Sequence, residues 1–214
     1  MNLNLIKEKV TLYVNAFKKI ECSKLTKYHK SPNRDLNFYI KGTCGIETAI
    51  MNVHFGLDTK DHVGWITRAK KIFEDNSKLF EETLKANKKI FILGGSLGAA
   101  VGAYLVNELL SQFPNKRKFI FGVFIASPKS VNRTIERNIH NNVITVLNPK
   151  DIITYVPVGD KYVVPGKIFS LRNNKFYNGF NLYKKASKKT FTIPMLLPYH
   201  LVTNYLSLIL SAST

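Results

Sequence analysis

The chain of 214 residues is poor in several things. Cysteine occurs twice, as Cys22 and Cys44. Two thiols make no disulfide framework and cannot alone supply a thiolate zinc site. Both are expected as free thiols in a reducing compartment. Acid is scarce: 14 Asp+Glu stand against 32 Lys+Arg, giving a formal net charge of +18 and a pI ≈ 9.9. A field of that sign attracts anionic surfaces, phospholipid headgroups or nucleic acid among them, without choosing between them. The 12 Gly and 8 Pro form neither a repeat nor a linker, and 45% of the residues are hydrophobic. Wholesale disorder and a collagen-like chain are therefore excluded, and one globular domain spanning 1–214 is expected.

Long apolar runs are also missing. The first twenty residues contain no continuous apolar stretch followed by a small-residue cleavage site, so they do not read as a signal peptide. The most apolar stretch, 193–210, is interrupted by Pro194, Pro198, His200, Thr203 and Asn204. A bilayer-spanning helix needs about 20 predominantly apolar residues. An intracellular protein, at most peripheral to a membrane, is the expectation. Near the start, Leu3, Ile6, Val10, Tyr13, Phe17 and Ile20 recur every three or four positions. That spacing predicts an amphipathic helix whose stripe faces a core, with Lys7, Glu8, Lys9, Lys18 and Lys19 off it.

What the sequence does contain is an alternation of two patterns. Runs at 36–41, 53–57, 89–93, 118–126, 143–147 and 167–171 read as strands, several of them apolar on both faces. Segments 46–52, 63–86, 97–113 and 200–210 have helical spacing. Strands buried on both sides and separated by helices predict an α/β fold with a mostly parallel central sheet flanked by helices.

One pentapeptide carries chemistry. Gly94-Gly95-Ser96-Leu97-Gly98 lies between the apolar strand KIFIL and the helix AAVGAYLVNELL. This is G-x-S-x-G in the strand–turn–helix setting that raises a serine above a sheet edge. A strained backbone at the serine requires very small neighbours, and the helix N-terminus offers the Leu97 amide where negative charge develops. The alternative is a glycine-rich turn whose serine caps the helix.

The pattern demands an acid and then a histidine downstream. Beyond Ser96 the acids are Glu108, Glu136, Asp151 and Asp160, and the histidines are His140 and His200. Glu108 falls in the serine's own helix, three turns away. Asp151 follows the strand 143–147 through a Pro-containing turn, where catalytic loops of parallel sheets lie. Asp160 is the reserve, and His200 is the only histidine after either. The candidate triad is Ser96, Asp151 and His200. A second amide for the oxyanion is expected from Thr43, after the strand end at Gly42.

These residues resemble the class 3 (fungal-type) lipase family. The matching segments are IKGT at 40–43, HVGW at 62–65, GGSLGAAVG at 94–102, NPKDIITYVP at 148–157, and His200 with Tyr205 in PYHLVTNYL. Gly95, Lys41 and Ala99 stand where the family usually has histidine, arginine and glycine. The resemblance implies an α/β-hydrolase fold shortened at its N-terminal side. It implies Ser96 as nucleophile, Asp151 and His200 as its partners, the Thr43 and Leu97 amides as oxyanion hole, and residues 44–52 in the place of a lid. The implied activity is hydrolysis of carboxylic esters, with no metal or organic cofactor; the charge adds phospholipids to acylglycerols as expected substrates, and a phospholipase A1-like activity is an alternative within the same chemistry. Lys184, Lys185, Lys188 and Lys189 point to contact with an anionic membrane. A non-catalytic lipid- or nucleic-acid-binding protein on the same fold is the rival reading, and no RNA-binding or zinc-finger motif supports its nucleic-acid form.

Overall fold

The computed structural model describes residues 3–17, 26–42, 61–155, 161–172, 175–178 and 205. The expected helix at 46–52, the strand at 53–57, both cysteines, Thr43, Asp160, the lysines of 184–189 and His200 lie outside these residues.

The first element is α1 (Leu3–Phe17), followed by the strands β1 (Thr26–Lys30) and β2 (Leu36–Ile40). Then come α2 (Asp61–Lys85), β3 (Ile90–Gly95), α3 (Leu97–Gln112) and, after a 3-10 turn at Pro114–Phe119, β4 (Ile120–Ile125). α4 (Arg133–Ile139), β5 (Val143–Leu147), a second 3-10 turn (Ile152–Tyr155), β6 (Lys167–Arg172) and β7 (Lys175–Asn178) complete the series.

The seven strands form one sheet in chain order, β1 to β7. β2 through β6 run parallel, and the two outer strands are antiparallel to their neighbours. Strand order explains the layering. Crossovers between parallel strands are right-handed, so connections that always advance in one direction pass over the same face. α2, α3 and α4 accordingly share one core with Phe38, Ile40, Ile90, Ile92 and Phe124. α1 covers the other face, where Ile6, Val10, Tyr13 and Val14 meet Tyr39, Phe91, Leu93, Val123 and Ile125. Successive residues of β2 and β3 alternate between these cores, as the two-residue period of a strand dictates. With helices on both sides the fold is that of an α/β-hydrolase, as expected.

The amphipathic reading of α1 holds with one difference. Lys9 is buried, not off the stripe; its ammonium lies 4.2 Å from the centre of the Phe91 ring and 2.9 Å from Glu8 Oε1. No described helix is long and apolar enough to cross a membrane. Three elements escaped the sequence reading. β1 and β7 are short, polar edge strands, and α4 spans seven residues. The signal for α4 was its cap, since the Asn132 side chain accepts from the amides of Thr134 and Ile135.

Candidate active site

β3 is buried throughout and ends at Gly95; α3 starts at Leu97. Ser96 makes the whole turn between them, with φ 53° and ψ −125°. An L-residue in such a region costs on the order of 1–3 kcal/mol and persists only where its surroundings hold it. Here the Ser96 amide donates to the Ile125 carbonyl at 3.0 Å, and its own carbonyl accepts from Ala99 at 2.9 Å and Ala100 at 3.3 Å. The side chain is half-buried and makes no capping hydrogen bond. The reading of Ser96 as a helix cap is thereby excluded.

The flanking glycines are required by space. A Cβ on Gly94 would stand 2.5 Å from the Gly98 carbonyl oxygen, and one on Gly98 would stand 2.3 Å from the Ile40 oxygen and 2.9 Å from the Gly42 nitrogen. The end of β2 therefore lies directly against the first turn of α3. That turn keeps its leading amides without intrahelical acceptors, and the peptide dipoles add positive potential there. Leu97, the first helical residue, is half-buried.

Asp151 follows β5. Its side chain is fully buried; Oδ1 accepts from the Ile153 amide at 3.0 Å and Oδ2 from the Tyr205 hydroxyl at 2.7 Å. The Tyr205 oxygen in turn accepts the Asn148 amide at 2.9 Å. The turn is braced further by Asp151 N–H to the Asn148 carbonyl, Lys150 N–H to Asn148 Oδ1, and the Tyr155 hydroxyl to the Pro149 carbonyl. Burial, with the Asp151 charge adding to it, pushes the Tyr205 phenol well above its ordinary value, so it is a donor at neutral pH.

Ser96 and Asp151 thus emerge from the carboxyl ends of β3 and β5, with β4 between. Two strand spacings separate them, roughly 10 Å at the backbone. The β4 end joins the two, because Ile125 accepts from Ser96 while Ala126 N–H donates to the Val146 carbonyl at 3.1 Å. Ser96, Leu97 and Asp151 share this edge; Thr43 and His200 are outside the described residues. Of the other acids named from the sequence, Glu108 is bonded to Gln112 along α3 and Glu136 to His140, while Asp160 lies outside the described residues.

Two residues at the site were not singled out from the sequence. The Tyr13 hydroxyl of α1 donates to the Ile40 carbonyl at 3.2 Å and hydrogen-bonds to the backbone amides of Gly95 and Gly42. Arg68 of α2 donates to the Lys41 carbonyl at 3.4 Å, and burial pulls its guanidinium below the ordinary arginine value. Both act on backbone, which no side-chain motif announces.

A sequential, mostly parallel sheet with a strained serine between a strand and a helix defines the class: an α/β-hydrolase. The family model for class 3 lipases matches residues 24–161, and the chain belongs to that family. It is a lipase-type ester hydrolase whose family acts on lipid esters. No curated protein matches the sequence. Among solved structures, lipase II from Rhizopus niveus is similar over 94% of this chain and 94% of its own, at 16% identity and a TM-score of 0.61. A mutant form of MDLA from Penicillium cyclopium aligns with 85% of this chain and 75% of its own, at 15% identity and a TM-score of 0.65. The triacylglyceride lipase of Rhizomucor miehei does so over 80% of each chain, at 13% identity and 0.58. Identities this low speak for the fold alone.

Proposed function

We propose that the protein, acting as a single domain, hydrolyses carboxylic esters of acylglycerols or phospholipids through an acyl-enzyme formed on Ser96. The observation that carries this reading is the backbone of Ser96: a strained, half-buried serine at the start of α3 whose side chain does not cap the helix. In this mechanism the Ser96 hydroxyl attacks the ester carbonyl carbon while His200 takes its proton. The carbonyl oxygen, now negative, is held by the amides of Leu97 and Thr43. The tetrahedral species expels the alcohol, which receives the proton from His200, and the acyl group stays on Ser96. Water, deprotonated by His200, then releases the acid and restores the serine. Asp151 orients the imidazole and stabilises its charged form.

Support for His200 comes from its neighbour. Tyr205 is bonded to Asp151, and the covalent chain keeps a residue five positions away within about 18 Å whatever its conformation. Support for a phospholipid substrate comes from the charge of +18, which favours anionic bilayers by about 1 kcal/mol per basic residue near the surface.

The deciding experiment is mass spectrometry after treatment with a fluorophosphonate, alongside turnover of p-nitrophenyl esters. Labelling of Ser96 is expected, with loss of labelling in His200→Ala and loss of turnover in Ser96→Ala. Undiminished hydrolysis by Ser96→Ala would overturn the assignment. Acyl-position analysis of phospholipid products separates A1-type cleavage from the rest, and liposome co-sedimentation with and without anionic lipid tests membrane contact.

A further inference from the structure

Tyr13 belongs to the face of the sheet opposite α3, yet its hydroxyl reaches the catalytic edge. The side chain is 2% exposed. A phenolic hydroxyl has one proton to donate and two lone pairs to accept with. The Ile40 carbonyl takes the proton, and the amides of Gly42 and Gly95 hydrogen-bond to the oxygen. Two of these groups lie at the end of β2 and the third at the end of β3. One oxygen therefore joins the two strand ends from beneath.

These ends are also pressed together from above. A Cβ on Gly42 would lie 2.8 Å from the Gly95 carbonyl oxygen, and one on Gly98 would meet Ile40 and Gly42. Backbone touches backbone here with no side chain to act as a spacer, so hydrogen bonds must set the separation. Thr43 is the next residue after Gly42, and Leu97 is two after Gly95. The Leu97 amide assigned to the oxyanion hole thus lies two residues from a group that shares the Tyr13 hydroxyl.

We propose that Tyr13 is a positioning residue for the oxyanion hole: its hydroxyl fixes the spacing between the β2 end and the serine turn, and with it the aim of the Leu97 amide. The inference rests on the ester-hydrolase reading of Ser96. The phenol stays protonated in this role, since burial raises its pKa. The consequence is specific to the transition state. Oxyanion donors act at 2.7–3.1 Å from where the charged oxygen will be, so a shift of a few tenths of an ångström weakens them there while substrate binding is little changed.

The test is Tyr13→Phe, which keeps the ring and removes the node. The expected result is a fall in kcat of about 10- to 100-fold with KM within about threefold, and a matching fall in the rate of Ser96 phosphonylation, because interactions made only in the transition state are the ones lost. Val14→Ala is the structural control. It loosens the same helix, being fully buried, without touching the hydroxyl, and it is expected to lower Tm while leaving kcat unchanged. Should Tyr13→Phe be too unstable to assay, the same change is made in the Ala126→Gly background, where relief of a positive φ restores stability. A kcat equal to the parent's in folded Tyr13→Phe, or an equal loss in Val14→Ala, overturns the proposal while leaving Ser96 as the nucleophile. Activity retained by Ser96→Ala removes the hydrolase reading itself and takes this role with it.

Discussion

The hydroxyl of Tyr205 lies 2.7 Å from Oδ2 of Asp151, joining residues 54 apart in the chain inside a fully buried pocket. The same oxygen accepts the Asn148 amide, so a single phenol secures both the carboxylate and the turn that presents it. Replacing Tyr205 with Phe leaves a buried amide without an acceptor and a buried carboxylate short of a donor. An unsatisfied buried group costs about 1–3 kcal/mol. The urea midpoint is expected to fall accordingly. Turnover of an ester substrate is expected to fall about tenfold, the equivalent of 1.4 kcal/mol. An unchanged midpoint together with unchanged turnover would mean that this bond contributes nothing.

Backbone strain supplies a second prediction. Ser96 and Ala126 both sit at φ 53°, at the carboxyl ends of adjacent strands. Glycine adopts positive φ without penalty. Ser96→Gly and Ala126→Gly are each expected to raise stability by about 1 kcal/mol, or roughly 2–4 °C in Tm for a chain of this size. Only the first should abolish hydrolysis. Differential scanning calorimetry beside an ester assay checks both, and a Tm drop in Ser96→Gly would contradict the claim that the turn is strained.

Gly98→Ala tests the fit between α3 and β2. Its Cβ would stand 2.3 Å from the Ile40 oxygen, a backbone atom that cannot rotate away. Something on the order of 1 Å must yield, and misplacement of that size costs about 100-fold in rate. The expected outcome is a loss of that order in kcat/KM with secondary structure retained by circular dichroism. Wild-type kcat/KM would show that the close approach is dispensable.

The tyrosines give a pH signature. Burial pushes Tyr39, Tyr104 and Tyr155 up to about 12, and Tyr13 and Tyr205 are raised as well. In the unfolded chain each ionises near 10. Between pH 10 and 12 the unfolded state therefore holds fewer protons than the folded one, and stability falls as pH rises through that window. Absorbance at 295 nm should show these five tyrosines ionising only above pH 10, together with the loss of structure. All of these phenols titrating smoothly around pH 10 in folded protein would refute this.

Much of the frame was readable because burial leaves a simple trace. β2, β3 and β5 are buried at every residue, and such strands appear in the sequence as largely apolar runs, interrupted here only by Asn37 and Thr145. Val143–Leu147 was placed to the residue. The expected strand at 118–126 begins two residues later, at Ile120, because Pro114–Phe119 winds as a 3-10 turn first. β1 was invisible: its residues TKYHK are largely exposed and pair on one side only, so no apolar alternation is imposed. At the site, Ser96 was legible through its glycines, which steric contact makes obligatory. Tyr13 was not. Its hydroxyl acts on backbone groups 27 residues and more away, and in the helical pattern it counted only as another apolar position.

The order of the strands has a consequence for synthesis. Because every strand joins the one before it, the sheet can grow from β1 onward as the nascent chain lengthens, with each addition finding its neighbour already in place. The bond from Tyr205 to Asp151 breaks that progression, since its two halves are made more than fifty residues apart. A ribosome-bound intermediate reaching only to the 3-10 turn at Ile152–Tyr155 would carry the serine turn complete and the Asp151 carboxylate without the Tyr205 hydroxyl, so a segment made long after both strands is what fastens it.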